Sequence, residues 1–376
     1  MTINNEHNKL NVPNSTDKGN VIRNVPHLRF PEFEGEWEDF LINDVCSEFK
    51  SGKNIKADSI SESGEYPVYG GNGLRGYTSS YNHEGLYVLI GRQGALCGNV
   101  RSVHGKTFIT EHAIAVAGNE ISNTSFLHYL FVKMNLGQYS DQSAQPGLAV
   151  NKLLKIKVVL PSVSEQTKIA RFLSLLDERI ATQNKIIEDL KKLKYAISHI
   201  LFSSKFTNHL SYIANVVMGQ SPSSNAYNDQ GIGMPLVQGN LDISNGKTTP
   251  RLYTSEFNQT AEEGNIILTV RAPVGEVAKA TKNVCLGRGV CAIIPHEENM
   301  SDFIYQYLTF YKFMWRKYEQ GSTFTSINGS DVRNILCPEV RNVSILTLLD
   351  SKISTEERVV KLYQKQKQYL LRQMFI

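Results

Sequence analysis

The stretch Glu165–Phe202, EQTKIARFLSLLDERIATQNKIIEDLKKLKYAISHILF, constrains the fold more than any other part of the 376-residue chain. Ile169, Leu173, Leu176, Ile180, Ile187, Leu190, Ile197 and Leu201 follow an alternating four-three spacing. That is the seam of a helix that keeps one face on a partner helix. No Pro or Gly interrupts it, and Pro161, Ser162 and Ser164 supply a start signal. At about 1.5 Å per residue such a helix is roughly 55 Å long. Two seam positions, Gln183 and Lys194, are polar.

The pattern returns without a gap, 173 residues later, in Ile345–Phe375. Leu173, Leu176, Asp177, Ile180, Lys194 and Phe202 recur as Leu346, Leu349, Asp350, Ile353, Lys367 and Phe375. The polar seam positions recur as Glu356 and Lys367. Two helices with one pattern are each other's expected partners. Paired antiparallel about a pseudo-twofold axis, they would set Lys194 opposite Glu356 and Gln183 opposite Lys367. Polar pairs in a seam cost stability and fix register, while Leu176 and Leu349 hold the seam itself.

What precedes each helix also repeats. YPVYGGNGL (66–74), GLYVLIGRQGALCGNV (85–100) and EHAIAVAG (111–118) are answered by MPLVQGNL (234–241), GNIILTVRAPVGEVAKA (264–280) and GRGVCAIIP (287–295). A helical run follows in each copy. The predicted fold is α/β (α+β): two copies of a globular unit, each ending in one long helix. The expected divisions are a disordered Asn-rich tail at 1–26, a first domain with its lead-in at 27–164, a helix at 165–205, a second domain at 206–341 and a helix at 342–376. The lead-in is expected to pack Phe30, Phe33 and Trp37 onto the first domain.

Lys+Arg 40 against Asp+Glu 36 is only mildly basic, which permits nucleic-acid binding without arguing for it. Five cysteines without a CxxC pair support neither a zinc site nor a disulfide scaffold. No apolar run has the length of a membrane span, and the N-terminus lacks the apolar core of a signal peptide. A soluble cytoplasmic protein is expected.

Catalytic patterns are missing. Gly105-Lys106-Thr107 and Gly246-Lys247-Thr248 lack the glycine that would complete a phosphate loop. Glu48-Phe49-Lys50 has no Pro-Asp companion, Asp189-Leu190-Lys191 lies within the helix, and Glu111-His112 is an isolated pair. His128 in its apolar run reads as a packed side chain, and no metal-ligand spacing occurs. The chain is expected to bind, not to catalyse.

The Gly-broken loops carry residues suited to base edges and phosphates: Arg for guanine, Asn and Gln for adenine, hydroxyls for phosphate. In the first unit these are Asn72, Arg75, Tyr77, Arg92, Gln93, Arg101, Gln142, Ser143 and Gln145. In the second they are Gln238, Asn240, Arg251, Arg271, Arg288, Gln320, Ser322, Thr323 and Ser326. Arg92 and Arg271 stand out because each follows a strand, and they are expected at the same place in both copies. For any one of these residues ordinary polar surface is the competing reading.

VVLPSVSEQTKIARFLSLLDERI (158–180), its echo ILCPEVRNVSILTLLDSKI (335–353), GQSPSS (219–224) and HLRFPEFEGEWEDF (27–40) give the chain a resemblance, over nearly its full length, to the specificity subunits of type I restriction–modification systems. The second copy lacks a counterpart of Glu165-Gln166, and Gly52-Lys53-Asn54 stands where the other copy has Gly219-Gln220-Ser221-Pro222. The resemblance implies two target recognition domains held apart by antiparallel helices, each reading half of a split double-stranded DNA site. It implies no catalytic centre or cofactor in this chain. S-adenosylmethionine would belong to two methyltransferase subunits, and ATP and magnesium to restriction/translocase subunits. A two-domain protein–protein scaffold that never reads DNA is the alternative.

Overall fold

The structure, a computed structural model, describes residues 24–140, 146–203, 206–312, 314–315 and 326–376. The expected tail at 1–26 lies almost wholly outside them. Two compact units form. One joins the chain up to Gln183 with Val359–Ile376, and the other is Asn184–Arg358.

Each unit is built on the same four antiparallel strands. In the first, Cys46–Ser51 pairs with Ala113–Gly118, which pairs with His83–Gly91, which pairs with Val100–Ile109. In the second, Ala214–Met218, Val290–Pro295, Ile266–Thr269 and Val277–Lys279 take those places. Central strands here are apolar at successive residues because both faces are covered. Val88, Ile90, Ile114 and Val116 face the main core, with Leu89 and Ala115 on the other side. Ile266, Leu268, Cys291 and Ile293 divide from Ile267 and Ala292 in the same way.

The copies differ where one long strand is broken. Val100–Ile109 continues far enough for Phe108 to pair parallel with Val68. In the second unit that role passes to a separate strand, Val284–Leu286, whose Cys285 pairs parallel with Leu236. Each main core is closed by an eleven-residue helix, Thr124–Met134 or Ser301–Tyr311. A small antiparallel pair also recurs, Glu38–Leu41 with Lys157–Leu160 and Phe206–His209 with Leu336–Pro338.

The long helices run Val163–Phe202 and Ser344–Gln373. The eight seam residues are all buried or half-buried, as the four-three spacing predicts. Within the first unit Asp177 meets Lys367 and Arg179 meets Tyr363; within the second Lys191 meets Glu357 and Lys194 meets Asp350. In both, the residue numbers run oppositely, so the helices pack antiparallel. The register differs from the expected one. Lys194 takes Asp350 at 2.6 Å in place of Glu356, and Lys367 takes Asp177 at 2.5 Å in place of Gln183. For Lys367 the aspartate offers a charge that the Gln183 amide lacks; for Lys194 one carboxylate replaces another.

Glu165 and Gln166, 1% and 0% exposed, tie the first helix to its domain. Arg29 grips Glu165 with Nε and Nη2, each at 2.8 Å. Gln166 accepts from Asn123 N–H and donates to the carbonyls of Ile121 and Pro161. Trp37 enters the core edge-on to Phe126 and Phe375, and Phe30 packs on Phe172. Phe33 stays half-buried.

Candidate nucleic-acid interface

The glycines that open the first turn of each unit set up the loops. Gly52 N–H bonds to Ala113 O and Gly219 N–H to Val290 O, and the following amides, of Lys53 and Gln220, bond to Ile109 O and Leu286 O. A Cβ on Gly52 would lie 2.2 Å from Ile109 O, and one on Gly219 2.2 Å from Gly287 O. Only glycine admits this approach, so the two differently written turns are one device.

In the second unit the loops enclose a cleft of about 640 Å³. Gln238, Asn240, Arg251, Arg271 and Arg288 line it together with Ser221, Pro222 and Ser224 of the GQSPSS motif. All three arginines are exposed. Arg251 Nε donates to Asp242 Oδ1 at 3.0 Å, while Asp242 Oδ2 accepts from Gln238 N–H at 2.9 Å. Arg288 is fixed through its backbone, whose N–H donates to Ser221 Oγ at 3.2 Å. The cleft is therefore cationic, with amides beside the guanidinium groups. It can take phosphate oxygens or the acceptor edge of a purine.

The corresponding hollow in the first unit is smaller, about 290 Å³, and is lined by Gly70, Gly71, Asn72, Arg75, Gln93, Gly94 and His112. Gly71-Asn72 and Gly239-Asn240 hold the same place, because Thr110 N–H bonds to Tyr69 O as Gly287 N–H bonds to Val237 O. Arg92 and Arg271 do not hold the same place. Leu148 N–H bonds to Arg92 O where Ile327 N–H bonds to Val270 O, and the bridge Gln93–Gly147 matches Arg271–Ser326. Gln93 is thus the counterpart of Arg271, and half-buried Arg92 stands where Val270 is buried. The strands end one residue apart in the two sequences, a shift that strand pattern alone does not reveal. By the same ladder Arg92 N–H bonds to His112 O and Val270 N–H to Gly289 O, which sets Glu111 in the place of Arg288.

Two other expectations shift. Tyr77 lines neither cleft, its backbone being paired with Ser61. Arg101 packs its guanidinium against Gly73 and lines a separate hollow of about 810 Å³ with His128, Tyr129, Asp177 and Lys367. Gln142, Ser143, Gln145, Gln320, Ser322 and Thr323 lie outside the described residues. Asp242 and His112 were not legible as site residues. Asp242 is an acid closing a short turn, and His112 has its Nε2 3.3 Å from Glu111 Oε1.

The remaining polar clusters are accounted for by packing. Glu48 accepts from His83 Nε2 at 2.9 Å and Tyr87 OH at 3.3 Å. Burial pushes its carboxyl up, yet the His83 and Lys50 contacts prevail and hold it below its ordinary range. Burial alone raises the Cys337 thiol to about 12, and it raises that of Cys291 to about 12 against the lowering influence of Arg333. Among the described residues no three His, Cys, Asp or Glu side chains gather as metal ligands, and no helix is long and apolar enough to cross a membrane.

Known proteins resemble this chain in both sequence and fold. Residues 34–192 and 207–359 each match the family described as "Type I restriction modification DNA specificity domain". The EcoprrI type I restriction enzyme specificity subunit of Escherichia coli is 42% identical over 154 residues, 40% of this chain and 38% of that protein. A putative type I restriction enzyme MjaX specificity subunit of Methanocaldococcus jannaschii is 31% identical over 246 residues, 58% of each chain. The matches thus span 38% and 58% of these relatives' own length. The crystal structure of a type I restriction–modification S subunit from M. genitalium shares the fold with a TM-score of 0.70 at 19% identity, over 94% of this chain and 99% of that one. A chain from a structural study of type I system assembly and conformational transition gives 0.54 at 20% identity, over 91% and 96%. With the family's domain matched twice over most of its length, the chain belongs to the type I restriction modification DNA specificity domain family.

Proposed function

We propose that the chain is the non-catalytic specificity subunit of a type I restriction–modification assembly in the cytoplasm. Its domains, 27–164 and 206–341, each read one half of an asymmetric, bipartite double-stranded DNA target. The observation that carries this reading is the pair of corresponding clefts with different residues at matching positions, Gln93 for Arg271 and Gly70 for Gln238. A shared frame with exchanged polar groups suits two unlike half-sites.

The partners follow from a second repeat. Phe172 and Leu175 on one long helix, and Ile345 and Leu348 on the other, are exposed apolar pairs at the 173-residue offset. Two equivalent patches suit two copies of one partner, here two methyltransferase subunits that carry S-adenosylmethionine. Restriction/translocase subunits using ATP and magnesium complete the assembly.

Co-expression with a partner methyltransferase, followed by mapping of N6-methyladenine across host DNA, tests the proposal. The expected result is an asymmetric two-part motif with a fixed gap, of which exchange of residues 206–341 changes one half. A stable complex that adds no methylation overturns it in favour of a scaffold.

A further inference from the structure

The second cleft contains an arginine prepared for one kind of base. This inference rests on the reading of that unit as a DNA reader. Arg251 stands between the strands Lys247–Thr248 and Leu252–Thr254, and its side chain is 58% exposed against 5% for Asp242. Asp242 is held in turn. Its Oδ2 accepts from Gln238 N–H at 2.9 Å and its own carbonyl accepts from Thr249 N–H at 2.8 Å. A buried aspartate, anchored once through its carboxylate and once through its backbone, thus takes the Nε edge of the guanidinium, at 3.0 Å.

What remains free is the pair of terminal nitrogens. A planar fork with its inner edge fixed presents two parallel N–H groups to O6 and N7 of guanine. Fixing the fork beforehand removes the rotamer cost of ordering it on the base. An arginine directed at phosphate needs no such brace, and Arg271 and Arg288 line the same cleft without an ion pair to a carboxylate among the described residues. An exposed ion pair kept for stability alone would contribute little, which makes the burial of Asp242 a poor stability device.

We infer that Arg251 reads a guanine in the half-site of the second unit, with Asp242 as its positioning residue. Among the described residues the first unit has no arginine braced by a carboxylate in its cleft, so the assignment is confined to one half of the target.

The test uses the assembled complex, with host genomic DNA as the probe and N6-methyladenine mapping as the readout. The wild-type motif is expected to contain a G·C pair in the half that moves with residues 206–341. Arg251→Lys keeps the charge and loses the fork, so discrimination at that one pair should fall roughly ten- to hundred-fold, the other positions being kept. Arg251→Gln should move the preference at that pair toward A·T. Asp242→Asn should relax the same pair to a smaller degree. Should it fail to assemble, exposed Arg251 carries the test. Uniform loss of methylation at all sites with an unchanged motif overturns the assignment and makes Arg251 a phosphate contact or plain surface. A motif in which exchange of 206–341 alters neither half overturns the DNA-reading of the unit, and the assignment with it.

Discussion

The Lys194 ammonium lies 2.6 Å from Asp350 Oδ1, and its counterpart Lys367 lies 2.5 Å from Asp177 Oδ1. Each pair is the other displaced by 173 residues in sequence. The second oxygen of each aspartate meets the eleven-residue helix of its own unit, through Tyr129 OH at 2.9 Å and Gln306 Nε2 at 2.7 Å. Each carboxylate therefore joins three helical segments.

Lys194→Met and Lys367→Met should each destabilise the protein by about 1 kcal/mol. The aspartates are about a third exposed, which holds the effect near the upper range for surface pairs. A double-mutant cycle of Lys194 and Asp350, read by urea unfolding, should give a coupling on the order of 0.5–1 kcal/mol that shrinks in high salt. No coupling would mean that apolar packing alone fixes the register.

Leu173 and Leu175 separate folding from assembly. Leu173 is fully buried in the first core, whereas Leu175 is 55% exposed. Leu173→Ala should cost roughly 2–5 kcal/mol. Leu175→Ala with Leu348→Ala should leave the unfolding midpoint within about 0.5 kcal/mol per site while weakening capture of the methyltransferase in a pull-down. Undiminished capture would remove these patches from the docking surface.

Much of this architecture was legible because it is written as periodicity. The four-three seam located the buried line of both helices, and the repeated Leu-Leu-Asp marked where the second one begins. The ion-pair register was not legible, because Asp177 and Asp350 lie outside the seam and the spacing ranks only seam positions. The cleft was partly legible. Gln238, Asn240, Arg251 and Arg271 do converge, because glycine-broken loops at the same strand ends have nowhere else to go. Arg92 was misplaced by one residue because a strand's exit is decided by its ladder: the Leu148 and Ile327 amides choose the partner carbonyl, and no side chain records that choice.

His128 gives a pH dependence. Burial, with Lys367 nearby and Asp177 opposing, pushes its pKa down from 6.5 to about 4. Above pH 6.5 the ring is neutral in both folded and unfolded chains, so it adds no penalty. As pH falls from 6.5 toward 4 the unfolded chain takes up a proton that the folded one refuses, and stability drops. The total loss is on the order of 2–4 kcal/mol. His128→Asn should flatten the fall in unfolding midpoint over that interval. An unchanged slope would assign it to other groups.

Glycine at the opening turn is a steric requirement. Gly52→Ala sets a Cβ against backbone oxygens of Ile109 and Thr110, and overpacking of that kind costs roughly 1–3 kcal/mol or more. Gly105→Ala is the comparison, since its φ of +90° is strained but nothing lies within 4 Å. It should cost only about 1–2 kcal/mol. In thermal unfolding Gly52→Ala should be the more damaging, with the half-site of the first unit lost first in methylation mapping. Equal effects would mean that the backbone gives way at Gly52, whose φ lies outside the left-handed region, and that the close approach does not demand glycine there.

Arg288 tests the division of labour within the second cleft. Its guanidinium is exposed while its backbone is tied to Ser221 Oγ, so the side chain is free to follow a phosphate. Arg288→Ala should weaken binding of the complex to all duplexes alike and make the slope of log affinity against log salt shallower by about 0.9, one released counterion. Arg251→Gln should instead change which duplex is preferred, through loss of the base-directed fork. If Arg288→Ala altered sequence preference and left the slope untouched, Arg288 would face a base and not a phosphate.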